Sequence, residues 1–197
     1  AAMAAWMGDG IQIAYVADST FHVMDTWTGE AVQLTDGPER IWGVAASLDG
    51  VHAAYVASDD AGALLRVVDV FTRETWDART SRGIWPWSLA WSPDGTKLLF
   101  SSARDHDRLA PYEIELKTGY VHPLLRDVCS VSANSYSPDG RYVVGIRDGA
   151  TWWRKGYTGA ANAELALYDT RQDTLKLLTD NPGMDNWPVM SADGKRV

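Results

Sequence analysis

The chain has 197 residues, a net charge of −8, 46% apolar and 22% charged residues, and one cysteine, Cys129. That composition belongs to a folded globular chain, and 197 residues point to one domain. An acidic chain gains nothing from phosphate backbones, so no nucleic-acid partner is expected; a lone cysteine excludes an internal disulfide and a Cys-rich metal site.

No apolar run approaches the roughly 20 residues that cross a bilayer, so no membrane partner is expected. The opening AAMAAWMGDG has neither a basic n-region nor a long apolar core. It is read as a cut edge and not as an intact signal peptide. The compartment stays open, with the cytoplasm slightly favoured over the periplasm. Ten tryptophans lean towards β structure, because large aromatics suit half-buried pleated surfaces.

In chain order, the first phrase is WMGDG (6–10). A β run, IQIAYVA (11–17), follows, then TFHVMD (20–25), an acidic turn at Asp25, and AVQLTD (31–36). The second phrase is ASLDG (46–50), followed by VHAAYVA (51–57), LLRVVD (64–69), a turn at Asp69, and TWDART (75–80). The third runs through WSLAWS (87–92) into WSPDG (91–95), then TKLLFSS (96–102), PYEIEL (111–116) with Glu115, and YVHPLL (120–125). The fourth runs through ANSYS (133–137) into YSPDG (136–140), then RYVVGIR (141–147), ELALYD (164–169) with Asp169, and LKLLTD (175–180). MSADG (190–194) begins a fifth.

The Asp-Gly anchors Asp9, Asp49, Asp94, Asp139 and Asp193 are spaced 40, 45, 45 and 54 residues apart. From each acidic turn to the next Asp-Gly the interval is nearly constant, at 24, 25, 24 and 24 residues. A period of this length marks propeller blades, each a four-stranded antiparallel sheet. No stretch keeps a helical apolar spacing, and turn residues interrupt every few positions. A sandwich would not explain the constant interval.

In this register each phrase is a hairpin turn between the first and second strands of a blade. Proline presets φ early in the turn, aspartate bonds its own backbone, and glycine takes positive φ. The structural positions are Asp9–Gly10, Asp49–Gly50, Asp94–Gly95, Asp139–Gly140 and Asp193–Gly194. A ligand-loop role for the phrase is weaker than this turn role. The aromatics before it, Trp6, Trp91 and Tyr136, are expected to pack between neighbouring blades.

SPDGTKLLFSSARD (92–105), SPDGRYVVGIRDG (137–149) and the closes QLTDG (33–37) and LLTDN (177–181) resemble the TolB-type propeller repeat. WWRKGYTGAANAELALYD (152–169), followed by LTDNPGMDNWPVMSADG (178–194), looks like the N-terminal six-bladed propeller of tricorn-type serine peptidases. The second repeat departs from the pattern: ASLDG lacks Trp and Pro, and Asp69–Arg73 lacks the turn glycine.

The expectation is therefore an all-β chain: one propeller domain with repeats at about 1–43, 44–88, 89–133 and 134–188 and the start of another at 189–197. A six-bladed ring needs roughly 270 residues at this period, so about four blades of a six-bladed ring are expected here. Two alternatives stay open, a self-closed four-bladed ring and association of two copies. The resemblance implies that a nucleophile and its partners lie in other domains. The expected partners are the remaining blades and peptidase domains of a larger chain, and peptides or proteins.

No catalytic set is assigned within the chain, because no Gly-x-Ser-x-Gly elbow occurs. His22, His52 and His122 fall on strands, where a structural role outweighs a catalytic one. His106, between Asp105 and Asp107, reads as a solvated loop, and Cys129 as a small buried hydrophobe. No cofactor or metal is expected.

One segment rises above structure. From the Asp-Gly glycine to the acidic turn the interval is 15, 19, 20 and then 29 residues. The excess in the fourth repeat holds Trp152, Trp153, Arg154, Lys155 and Tyr157. Aromatics beside cations make good contact sites, so a partner or peptide site is weighed equally against a cap on the neighbouring blade. Three readings remain: the propeller of a tricorn-type peptidase, a stand-alone TolB-like binding module, or the propeller of a prolyl-oligopeptidase-like or amidohydrolase-type hydrolase.

Overall fold

Each Asp-Gly phrase closes a hairpin in the same way. In the computed structural model the glycine N–H donates to the carbonyl three residues back: Gly10 to Met7, Gly50 to Ser47, Gly95 to Ser92, Gly140 to Ser137 and Gly194 to Ser191. All five glycines sit at φ between 68° and 73°, the left-handed region that glycine enters without a Cβ penalty. The aspartate Oδ1 accepts the N–H two residues on, from Ile11, Val51, Thr96, Arg141 and Lys195. The structure describes residues 4–78, 85–105, 109–125, 131–147, 162–180 and 182–197, over 131–134 as backbone only.

Among the described residues sixteen strands form four antiparallel sheets, each a simple meander. Blade 1 is β1 (Ala4–Trp6), β2 (Gln12–Ala17), β3 (Thr20–Asp25) and β4 (Ala31–Gln33). Blade 2 is β5 (Arg40–Ala46), β6 (His52–Asp59), β7 (Gly62–Asp69) and β8 (Thr75–Asp77). Blade 3 is β9 (Trp87–Trp91), β10 (Lys97–Ser102), β11 (Ala110–Glu115) and β12 (Val121–Pro123). Blade 4 is β13 (Val131–Tyr136), β14 (Tyr142–Arg147), β15 (Glu164–Asp169) and β16 (Thr174–Leu177). No helix is present among the described residues, as the expected all-β propeller requires. The counted repeat limits at 43/44, 88/89 and 133/134 fall inside β5, β9 and β13, because each sheet starts a few residues before its count.

First strands neighbour one another, β1 with β5, β5 with β9 and β9 with β13, so they form the inner wall of the arc. Strand alternation then feeds two cores from one sheet. On β6, Ala53, Tyr55 and Ala57 pack towards blade 1 with Phe21 and Val23. Ala54 and Val56 pack the other way, with Phe100, Tyr112 and Ile114 of blade 3. A third core joins Leu99 of blade 3 to Val143 and Tyr168 of blade 4. Each blade thus hides its faces only through its neighbours, which is the reason a repeat protein needs several repeats.

The Asp-Gly turns and the acidic turns share one end of each sheet, because residues next to them pair across the ladder: Gln12 with Asp25, His52 with Asp69, Lys97 with Glu115 and Tyr142 with Asp169. Neighbouring turns also touch. A Cβ on Gly8 would lie 2.2 Å from the Leu48 carbonyl oxygen, one on Gly140 3.6 Å from Pro93, and one on Gly194 3.2 Å from Pro138. The five turns therefore line one face.

This arrangement explains the constant interval. Between an acidic turn and the next Asp-Gly, the chain must cross from an outer strand to the next inner strand, a fixed width. The hairpin tips at the opposite end carry no such constraint. The gaps between second and third strands are 18–19, 60–61, 103–109 and 148–163; blades 1 and 2 differ instead by two residues in each of the two strands, six against eight.

Blade 2's acidic turn lacks glycine, yet it closes as the others do. Arg73 takes φ 64° and its N–H donates to Asp69 O, where Gly29 and Gly119 donate to Asp25 O and Glu115 O. The aromatics before the phrase behave as their neighbours allow. Trp91 and Tyr136 pack onto the preceding blade through Ala45 O and Glu113. Trp6 is 61% exposed, because no described blade precedes it.

Candidate functional site

The wedge between two blades, on the face of the Asp-Gly turns, is built from four equivalent positions. Three come from one blade: the second-strand residue facing the acidic turn, the third-strand residue two before that turn, and its cross-strand partner on the outer strand. The fourth is the residue before the next blade's turn.

Between blades 1 and 2 these are Gln12, Val23, Val32 and Ala46, and the first three line a groove of about 360 Å³. Between blades 2 and 3 they are His52, Val67, Trp76 and Trp91. There the rings meet, His52 edge-on to Trp76 at 5.6 Å and beside Trp91 at 6.4 Å. Between blades 3 and 4 they are Lys97, Glu113, His122 and Tyr136, on a cleft of about 760 Å³.

Glu113 is buried, 4% exposed, at a strand position that is Val23, Val67 and Leu167 in the other blades. A lone buried carboxylate would be costly, and here every side supplies a partner. Lys97 Nζ lies 2.9 Å and His122 Nε2 3.1 Å from Glu113 Oε2. The Tyr136 hydroxyl donates to Oε1. Burial and the Glu113 charge hold the Tyr136 phenol protonated, its pKa well above the ordinary value. His122 stacks on Tyr120 at 5.8 Å, which fixes its ring.

The walls are turns. Pro93–Asp94 come from blade 3's turn, and Pro138–Gly140, Thr170 and Asp173 from the two turns of blade 4, where the Thr170 hydroxyl donates to Arg141 O at 2.7 Å. The Tyr168 hydroxyl shares its one proton between Asp173 Oδ1, at 2.9 Å, and Leu124 O. Nothing in this set forms a nucleophile–base pair: Glu113 is saturated, and the cleft serine, Ser92, gives its hydroxyl to Asp94 at 2.6 Å. The arrangement can bind and orient a ligand. Among the described residues no group of three His, Cys, Asp or Glu is close enough to hold a metal ion.

Sequence reasoning passed over Lys97, Glu113, His122 and Tyr136 as a group. The signal was available: laid over the other repeats, Glu113 is a charge in an apolar column. The expected site residues Trp152, Trp153, Arg154, Lys155 and Tyr157 lie outside the described residues, as do His106 and Cys129. The described strands on either side, β14 ending at Arg147 and β15 starting at Glu164, pair at the sheet end opposite the Asp-Gly turns.

That opposite end carries aromatics of its own. Trp42 stacks on Trp85 at 6.1 Å and tilts against Trp87 at 5.2 Å. First strands bulge there, with Gly43 at φ 71° and Ser88 at φ 57°; bulges re-aim neighbouring side chains.

No protein-family model matches the chain. A curated relative, the uncharacterized peptidase YuxL of Bacillus subtilis, is 29% identical over 182 residues. The alignment takes in 75% of this chain and 27% of that protein, so the chain spans about a quarter of its relative. Among solved structures, TolB from Acinetobacter baumannii superposes with a TM-score of 0.77 at 22% identity, over 98% of this chain and 47% of TolB. The tricorn protease superposes with a TM-score of 0.69 at 18% identity, over 94% of this chain and 17% of that chain. With sixteen strands in four stacked sheets among its described residues, the chain has the β-propeller fold of TolB and of a part of the tricorn protease.

Proposed function

We propose that this chain is the non-catalytic propeller portion of a larger peptidase of the tricorn type. In this reading it scaffolds the enzyme, contacts other subunits, and controls the access of peptides to an active site elsewhere. The carrying observation is the alignment with about a quarter of a protein named as a peptidase, by a segment whose own fold is a propeller. The surplus connection with Trp152, Trp153, Arg154, Lys155 and Tyr157 is proposed as its docking element. One tryptophan would anchor the segment while Arg154, Lys155 and Tyr157 meet an acidic partner surface or a peptide carboxylate.

The test is peptide hydrolysis by the full-length protein. Turnover is expected, and Arg154→Ala with Lys155→Ala should alter assembly or peptide turnover in a salt-dependent way. A complete coding region without a hydrolase domain would overturn the peptidase reading. The TM-score of 0.77 to TolB favours a second reading in that case, a TolB-like module that docks other proteins. A hydrolase domain of prolyl-oligopeptidase or amidohydrolase type would replace the tricorn assignment and keep the propeller's role.

A further inference from the structure

We propose that the cleft between blades 3 and 4 binds a basic side chain, the arginine or lysine of an extended peptide segment, over a rim of Asp94, Asp139 and Asp173. The inference concerns this chain's own surface and stands whatever domains accompany it.

Three equivalent wedges provide an internal comparison. The fold is satisfied by apolar residues at the Glu113 position, as Val23 and Val67 demonstrate in the first two. Only the third wedge buries a carboxylate and ties Lys97, His122 and Tyr136 to it. Local rules broken without need of the fold mark functional places. This wedge also holds the larger opening, about 760 Å³ against about 360 Å³ between blades 1 and 2, within the size range of ligand clefts.

The charge of the cleft selects the ligand. Its described lining carries four carboxylates, Asp94, Glu113, Asp139 and Asp173, against one permanent cation, Lys97, which Glu113 already engages. Arg171 acts electrostatically on Asp139 but does not line the cleft. A potential of this sign favours a cation and repels an acid.

The rim is also held still. Asp94 and Asp139 use Oδ1 for their serine hydroxyls and turn amides, and Asp173 Oδ1 accepts from Tyr168. Among the described residues the second oxygen of each carboxylate is left for a ligand, and little ordering remains to be done on binding. The carboxylates do not converge as a metal site, since the described residues contain no such cluster. An extended organic cation, a guanidinium or ammonium on a flexible stem, suits acids spread around a rim.

Calorimetric titration of the full-length protein with acetyl-Gly-Arg-Gly-amide tests this, beside the same peptide with citrulline or glutamate in place of arginine. The arginine peptide should bind about tenfold tighter than its neutral citrulline counterpart and lose that margin in high salt. Asp94→Asn with Asp173→Asn should abolish the preference. Asparagine keeps the Oδ1 acceptor, and it tolerates the φ of 53° at Asp173, so the fold should survive. Asp25→Asn, in the wedge between blades 1 and 2, should leave binding unchanged. Equal binding of the arginine and citrulline peptides, or no binding up to about 5 mM, overturns the proposal. So does an arginine preference that persists in the double variant. Should that variant fail to fold, the arginine–citrulline comparison on the unaltered protein decides alone.

Discussion

Trp91 donates its indole N–H to the carbonyl of Ala45 at 2.9 Å, across 46 residues, and so joins blade 3 to the inner strand of blade 2. The ring itself is buried in the core between those blades. Trp91→Phe keeps most of the apolar contact but leaves the carbonyl unpaired, and should cost about 1–3 kcal/mol. Trp91→Ala empties the position and should cost about 3–5 kcal/mol. Urea denaturation followed by tryptophan fluorescence measures both; equal losses would mean that the hydrogen bond contributes nothing.

Gly8 and Gly10 stand two residues apart and are needed for different reasons. A Cβ at Gly8 would meet the Leu48 backbone at 2.2 Å, whereas one at Gly10 meets nothing within 4 Å. Gly8→Ala must push blade 2's turn away, at about 1–3 kcal/mol or more. Gly10→Ala meets only the left-handed backbone penalty, about 1–2 kcal/mol. Alanine should therefore lower the melting temperature further at position 8, and the reverse order would refute the close packing of the first two turns.

Acid should loosen the turn face. The Asp94, Asp139 and Asp193 carboxyls lie below their ordinary value, first because Ser92, Ser137 and Ser191 donate hydroxyls to them, then because turn amides do. A carboxyl lowered on folding contributes stability that is complete above its unfolded value, near 3.8, and is lost as pH falls through the lowered folded value. Stability against urea should hold from pH 7 to about 5 and then fall. Ser92→Ala should make that fall shallower. An unchanged acid slope in the variant would remove the hydroxyl as the cause.

The Glu113 cluster should be weaker as a stabiliser than it is specific. Tyr136→Phe removes one donor from a buried carboxylate and should cost about 1–3 kcal/mol. Combining it with Glu113→Leu, the residue type found at Leu167, removes the charge as well. The double variant should be as stable as the natural pair or more so, since replacing a buried polar network by apolar groups is often neutral or better. A double variant less stable than Tyr136→Phe alone would contradict this.

The amino-acid sequence by itself determined the strands and the turns, because both depend on near neighbours. Asp-Gly at the end of an alternating run closes its own hairpin within four residues. TFHVMD and ELALYD are the strands β3 and β15 to the residue. Arg73 was harder to read, because a left-handed arginine is imposed by the ladder on either side and not by its own preference.

Only the tertiary structure decided what the wedges between blades contain. Lys97, Glu113, His122 and Tyr136 stand on three strands of one blade and the first strand of the next. Strand pairing within blade 3 brings the first three together, and the stacking of blade 4 on blade 3 adds Tyr136. Burial there turns an ordinary strand glutamate into a charge that must be partnered on every side, and it leaves an acidic cleft where an equivalent wedge holds rings.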